Sequence, residues 1–189
     1  MLTSPPNLLT LSRVAAVPLV VATFYLDGHF WHWVALGIFA VAGITDFFDG
    51  WLARRNNQIS SFGRFLDPIA DKLLVAAILL MLAAFHRMSP ITFLPAVVIL
   101  CREILVSGLR EFLAETKVSM PVSRLAKWKT TLQMVAIGVL IVGDAGPEGL
   151  PVRLIGELGL WLAAALTMVT GYDYLVAGLP HIRKPLDKP

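Results

Sequence analysis

This sequence is short of charge and nearly devoid of cysteine. Its one cysteine, Cys101, excludes an internal disulfide. Its four histidines follow no Cys-x-x-Cys or His-Glu-x-x-His spacing, which excludes a structural or protease-type zinc site and leaves oxygen as the donor for any metal. No Ser/Gly-rich or charge-rich linker and no repeat divides the chain, so residues 1–189 read as a single domain. The opening Met1-Leu2-Thr3-Ser4-Pro5-Pro6 has no basic region, and no small-residue cleavage site follows the first apolar run. A removable signal peptide is therefore not expected, and the first helix should stay in the mature protein.

What the sequence has in abundance is apolar surface. Hydrophobic residues make up 57% of it and charged residues 15%, with a mean hydropathy of +0.72. A water-soluble globule of this size does not tolerate that balance, so the composition predicts an integral membrane protein. At roughly 20 residues per span, the length fits about six transmembrane helices. The expected fold is all-α, a polytopic bundle of six spans.

The spans are legible in order. Ser4 with Pro5-Pro6 starts a helix that runs to about Leu26, with Pro18 as a kink, and Asp27-Gly28-His29 closes it. The second runs from about Trp31 to Arg55, its apolar first half giving way to Thr45, Asp46, Asp49 and Arg54. After the polar stretch 56–61, a third from about Phe62 to Phe85 carries Asp67, Asp71 and Lys72 in its opening turns. The short loop predicts that spans two and three are antiparallel neighbours. Spans four (about Pro90 to Glu115), five (about Arg124 to Gly143) and six (about Val152 to Ala177) follow, the last after the turn Gly146-Pro147-Glu148-Gly149.

Basic residues set the orientation. Arg54, Arg55, Arg64, Arg110, Lys117, Arg124, Lys127, Lys129, Arg183, Lys184 and Lys188 fall at one side and only Arg87 and Arg153 at the other. Both termini and the acidic cluster should therefore face the cytoplasm of an inner or cell membrane. The net charge of +3 fits this asymmetry and contact with anionic lipids, and no nucleic-acid motif accompanies it. Trp31, Trp33 and Trp161 on the outer side, with Trp51 and Trp128 on the inner, suit interfacial belts, and Cys101 suits a small buried position.

The chemistry concentrates between Asp46 and Asp71. A charged side chain at mid-bilayer costs at least ~2.5 to 3.5 kcal/mol on insertion scales, so four acids at a bundle's edge call for a cation or a polar cavity. Asp46 and Asp49 are three residues apart and Asp67 and Asp71 four, so each pair shares one helix face. If the faces converge, repulsion raises the carboxyl pKa values unless divalent cations neutralise them, and hard oxygen donors suit Mg²⁺, Mn²⁺ or Ca²⁺. A pair of such ions ~3.5 to 4 Å apart is a familiar arrangement for displacement at phosphorus. Gly50, Ala53 and Gly63 strip bulk from the backbone near the acids, leaving room for a nucleotide. Arg54 offers a fork of donors for phosphate, or serves only as a positive-inside anchor.

Asp46-x-x-Asp49-Gly50-x-x-Ala53-Arg54, then eight residues, then Gly63-x-x-x-Asp67-x-x-x-Asp71 resembles the complete signature of the CDP-alcohol phosphatidyltransferases. Pro6-Asn7-Leu8-Leu9-Thr10-x-x-Arg13 looks like their amino-terminal element. Arg102-Glu103, Ser107-Gly108-Leu109-Arg110-Glu111 and Leu125-Ala126-Lys127-Trp128-Lys129-Thr130 are similar to the phosphatidylglycerophosphate-forming branch. The resemblance implies a six-helix membrane enzyme with a cytoplasm-facing active site. Its expected reaction moves a phosphatidyl group from CDP-diacylglycerol to glycerol 3-phosphate by direct displacement, releasing CMP, in a homodimer.

For the residues, the resemblance implies that Asp46, Asp49 and Asp67 hold two ions, Mg²⁺ or Mn²⁺, while Asp71 ligates one of them and takes the proton from the attacking hydroxyl. Asn7, Thr10, Gly50, Ala53, Arg54 and Gly63 would lie against the CDP-lipid, although Asn7 and Thr10 also suit simple caps. Arg110, Lys127 and Lys129 would clamp the acceptor phosphate, or act as ordinary positive-inside charge. Arg102 joins them as a candidate from inside span four, with Glu103 as its possible ion-pair partner. Other acceptors within the same chemistry are an inositol phosphate, serine and phosphatidylglycerol. Outside it, the acids would line the cavity of a cation transporter, a reading that their position at one edge disfavours.

Overall fold

The computed structural model describes the backbone of residues 5–56, 61–115 and 124–182, and the side chains of 10–45, 66, 68–114 and 125–178. Six α-helices make up the described chain: α1 Pro5–Phe24, α2 His29–Asn56, α3 Ser61–Ala84, α4 Phe93–Glu115, α5 Arg124–Val142 and α6 Val152–Ile182. Short 3-10 turns at Pro90–Thr92 and Gly143–Ala145 adjoin α4 and α5, and no strand occurs among the described residues. The helices fall within a few residues of the expected spans. Helix α1 continues through Pro18, and α6 runs further than its expected end, to Ile182.

Local chemistry sets the turns. Gly28 at φ 106° and Gly149 at φ 87° take left-handed conformations that a Cβ disfavours. His86 closes α3 with φ 54°: its N–H bonds the Ala83 carbonyl at 3.2 Å while the Arg87 N–H reaches back to Leu82 at 2.9 Å. That pair of bonds satisfies carbonyls that the helix end would otherwise strand, which offsets the strain of a non-glycine residue there.

One end of the bundle is tied by contacts between different helices. His32 Nδ1 lies 2.9 Å from the Val142 carbonyl, and Arg87 Nη1 donates to the Ile141 carbonyl at 3.3 Å while its guanidinium sits 4.4 Å above the Phe24 ring. Glu157 accepts from the Ser89 N–H at 2.7 Å and the Ser89 hydroxyl at 2.8 Å. These contacts bring together the ends of α1 and α5, the starts of α2 and α6, and the segment leading into α4. The helices therefore alternate in direction, and the end of α2, the starts of α3 and α5 and the end of α4 lie at the opposite pole.

The core runs through all six helices, with Ala16, Val20 and Phe24 from α1, Phe39 from α2, Ile78 and Leu82 from α3, Ile99 from α4, Ile137 and Leu140 from α5, and Leu160 from α6. Glycines on α6 bring its neighbours close. A Cβ at Gly156 would stand 2.7 Å from Leu140 Cγ, and one at Gly171 would stand 3.0 Å from Arg102 Cγ. Small residues at such crossings let membrane helices approach backbone to backbone.

Helix α1 packs against both α2 and α3, whereas α2 and α3 touch only marginally among the described residues. The antiparallel pairing expected of spans two and three is thus bridged by α1 over much of its length. Large apolar side chains such as Leu19, Val41, Leu80, Leu94, Leu162 and Met168 point outward, as they do where the surroundings are lipid. Residues Pro90–Ala114, Leu125–Ala145 and Val152–Gly178 form helices long and apolar enough to cross a membrane, and Thr10–Phe24 and His29–Thr45 form shorter apolar ones. The chain is an integral membrane protein by this measure. Cys101 corrects the expectation of a buried thiol: it is exposed on α4. A small apolar thiol tolerates a lipid-facing position as readily as a core one, so its chemistry alone does not select between them.

Candidate active site

Helix α2 carries Asp46 and Asp49 in its second half, and α3 carries Asp67 and Asp71 in its first half, so both pairs keep the helical spacing that puts each on one face. The side chains of Asp46, Asp49 and Asp67, and those of Asn7, Arg54 and the neighbours at Gly50, Ala53 and Gly63, lie outside the described residues. Asp71 lies within them. Among the described residues no group of three or more potential ligands forms a metal cluster. The donor set itself, four carboxylates on regular helices, fits a hard divalent cation.

Asp71 opens onto a cavity of about 460 Å³ between α3 and α4, bordered also by Lys72, Arg102, Glu103, Ser107, Arg110 and Glu111. Lys72 is held by its own helix, its Nζ donating to the Pro68 carbonyl at 2.7 Å. Arg110 is exposed at the cavity wall. A second, narrow cavity of about 40 Å³ lies between α3, α4 and α5, lined by Asp71, Lys72, Glu103, Lys129, Thr130 and Gln133 among others. Asp71, Lys72 and Glu103 border both spaces. The two cavities therefore share a border formed by Asp71, Lys72 and Glu103.

Glu103 holds the charges together. Arg102 Nη1 lies 3.3 Å from Glu103 Oε1, and the ammonium of Lys129 contacts the same oxygen directly. The other arm of Arg102 reaches α6, donating from Nη2 to the Thr170 hydroxyl at 2.9 Å, with the guanidinium 5.6 Å from the Tyr174 ring centre. Gly171 on the same helix leaves the room Arg102 needs. Lys129 is 2% exposed and close enough to Asp71 to interact electrostatically. Charges buried this deeply persist only when paired, and one carboxylate shared by two cations from different helices meets that need.

The four cations considered for the acceptor phosphate thus occupy different settings. Arg102 has the Glu103 partner anticipated for it, Lys129 is buried against the same carboxylate, Arg110 faces the large cavity, and Lys127 is exposed and lines neither cavity. On α1, Thr10 is 1% and Arg13 2% exposed, and both make interactions within the fold. Gln133, Thr170 and Tyr174 are not among the residues expected from the sequence, nor is Glu103 expected as a hub. The available signal was a lone amide, Gln133, one helical turn beyond Lys129 inside an apolar run.

Comparison with known proteins shows the family of the chain. The sequence profile of the CDP-alcohol phosphatidyltransferases matches residues 3–169. The chain belongs to the CDP-alcohol phosphatidyltransferase family. As a member of that family it is a transferase. It is 50% identical over 172 residues to a Rickettsia bellii protein named CDP-diacylglycerol--glycerol-3-phosphate 3-phosphatidyltransferase, covering 91% of this chain and 93% of the relative. Proteins of the same name from Cereibacter sphaeroides and Shigella flexneri are 40% and 44% identical. The first covers 95% of this chain and 97% of the relative, the second 91% and 93%.

Proposed function

We propose that this transferase moves the phosphatidyl group of CDP-diacylglycerol to glycerol 3-phosphate, giving phosphatidylglycerophosphate and CMP. The observation that carries the reading is identity of 40 to 50%, across at least 91% of the chain, with relatives bearing the name of that reaction. The aspartate signature and the cation-lined cavity beside Asp71 support it.

In this reading Asp46, Asp49, Asp67 and Asp71 hold two divalent ions, Mg²⁺ or Mn²⁺. When bound, such ions neutralise the negative charge that builds on the pyrophosphate as it breaks. Asn7, Thr10 and Arg54 bind the cytidine nucleotide, and Gly50, Ala53 and Gly63 let it approach the helix backbones. Arg110 grips the acceptor phosphate from the cavity wall, and Lys127 adds to the positive field at its edge. Lys129 and Arg102, fixed by Glu103, supply positive potential beneath the acceptor. Asp71 takes the proton from the attacking hydroxyl as its oxygen bonds to the phosphatidyl phosphorus and the bond to the CMP phosphate breaks. Because lysine and arginine gather at one side, the bundle is read as six spans with both termini and the acids at the cytoplasmic face. The enzyme is read as a homodimer.

CMP release from purified protein tests this. CDP-diacylglycerol and Mg²⁺ or Mn²⁺ are supplied with glycerol 3-phosphate, inositol phosphate, serine or phosphatidylglycerol in turn. Rapid release with glycerol 3-phosphate alone is expected; faster release with any other alcohol reassigns the acceptor.

A further inference from the structure

Gln133 is a polar side chain in an apolar place. It sits on α5 between Leu132 and Met134, is 3% exposed, and its Oε1 has no hydrogen-bond partner among the described residues. Buried amide oxygens are nearly always bonded, so one that is not implies a donor that arrives from elsewhere. None of the other polar groups around the 40 Å³ cavity bonds this oxygen. Lys129 is on Glu103, Lys72 on the Pro68 carbonyl, and the Thr130 hydroxyl on the Ala126 carbonyl at 3.0 Å. A carbonyl oxygen accepts and does not donate, so the missing partner is an O–H or N–H group. At about 40 Å³ the cavity has room for two or three waters, or for a single hydroxyl and the carbon that bears it.

We propose that Gln133 determines acceptor specificity by accepting a hydrogen bond from the acceptor's non-reacting hydroxyl. This rests on the reading of Asp71 as the base and glycerol 3-phosphate as the acceptor. Asp71 borders both cavities, so a hydroxyl at Asp71 places the next carbon of the acceptor at the mouth of the smaller one. An acceptor with hydroxyls on adjacent carbons, its phosphate held in the larger cavity, fills both. A chain of the same length without the middle hydroxyl leaves the Gln133 oxygen buried and unbonded, and sites built to receive a hydroxyl reject such analogues strongly.

The test compares kcat/KM for glycerol 3-phosphate with that for 3-hydroxypropyl phosphate, which lacks the middle hydroxyl, in the wild type, Gln133→Met and Gln133→Glu. Each ratio is taken within one preparation, so the folded fraction cancels. The wild type is expected to favour glycerol 3-phosphate by about tenfold or more, Gln133→Met to fall towards parity, and Gln133→Glu, which keeps an acceptor oxygen, to retain a preference. A wild type without preference, or a Gln133→Met ratio equal to that of the wild type, overturns the proposal. Should Gln133→Met fail to fold, Gln133→Leu replaces it with the same criterion. A wild type that releases no CMP with either acceptor overturns the reaction assignment itself.

Discussion

Lys129 on α5 and Glu103 on α4, 26 residues apart in sequence, meet in a direct ammonium-to-carboxylate contact. Because Arg102 shares the same oxygen, one carboxylate is the direct ion-pair partner of two cations set well inside the bundle. The pairing ties α4 to α5 beside Asp71, at the border of both cavities.

Removing that carboxylate therefore harms the fold before it harms the chemistry. Glu103→Leu leaves the buried Lys129 without its partner and is expected to cost about 3 kcal/mol, read as a loss of thermal stability in detergent. Adding Lys129→Met should recover much of the loss, since an apolar pair of similar size tolerates the site. Equal melting temperatures for Glu103→Leu and wild type would contradict this account of the network.

Asp71→Asn keeps the size of the side chain but removes the carboxylate proposed as the base. It is expected to abolish turnover while the protein stays folded and still binds CDP-diacylglycerol, measured by CMP release alongside lipid binding. Full activity in this variant would refute the role given to Asp71.

The two exposed cations should separate. Arg110→Ala, at the cavity wall, is expected to raise KM for glycerol 3-phosphate by about tenfold, the loss of one charge-assisted contact. Lys127→Ala, outside both cavities, should produce a smaller rise that vanishes as salt is added, because a distant exposed charge acts through a screened field. An unchanged KM in Arg110→Ala would remove it from the acceptor site.

At the far pole, stability and activity should come apart. Glu157 accepts from the Ser89 N–H and hydroxyl and from Arg153 Nε at 3.1 Å. Glu157→Leu strands the Ser89 donors and is expected to cost about 1–3 kcal/mol in thermal stability. Turnover per folded molecule should be unchanged, because this end lies across the bundle from Asp71. A drop in kcat without a drop in melting temperature would reverse the assignment.

Much of the fold was legible because its signals are local. Expected and observed helices agree to within a few residues at most ends, since apolar runs and breakers such as Gly28 and Pro147 act over a few positions. The aspartate signature was legible for the same reason, as spacings of three and four set a shared helix face without reference to any other helix. Cys101 shows the limit. On helices that are apolar all round, nothing in hydropathy separates the face that meets lipid from the face that meets protein.

The sequence alone determined the membrane class, the helix boundaries and the family signature, because burial in lipid and helical periodicity depend on neighbours a few residues away. Only the tertiary structure decided that α1 packs against both α2 and α3 and that Arg102 and Lys129 converge on Glu103. It also decided that Gln133 borders the cavity of Asp71 while Lys127 does not. Those outcomes depend on which faces of distant helices pack together, and that is set by side-chain fit and by the need of each buried charge for a partner.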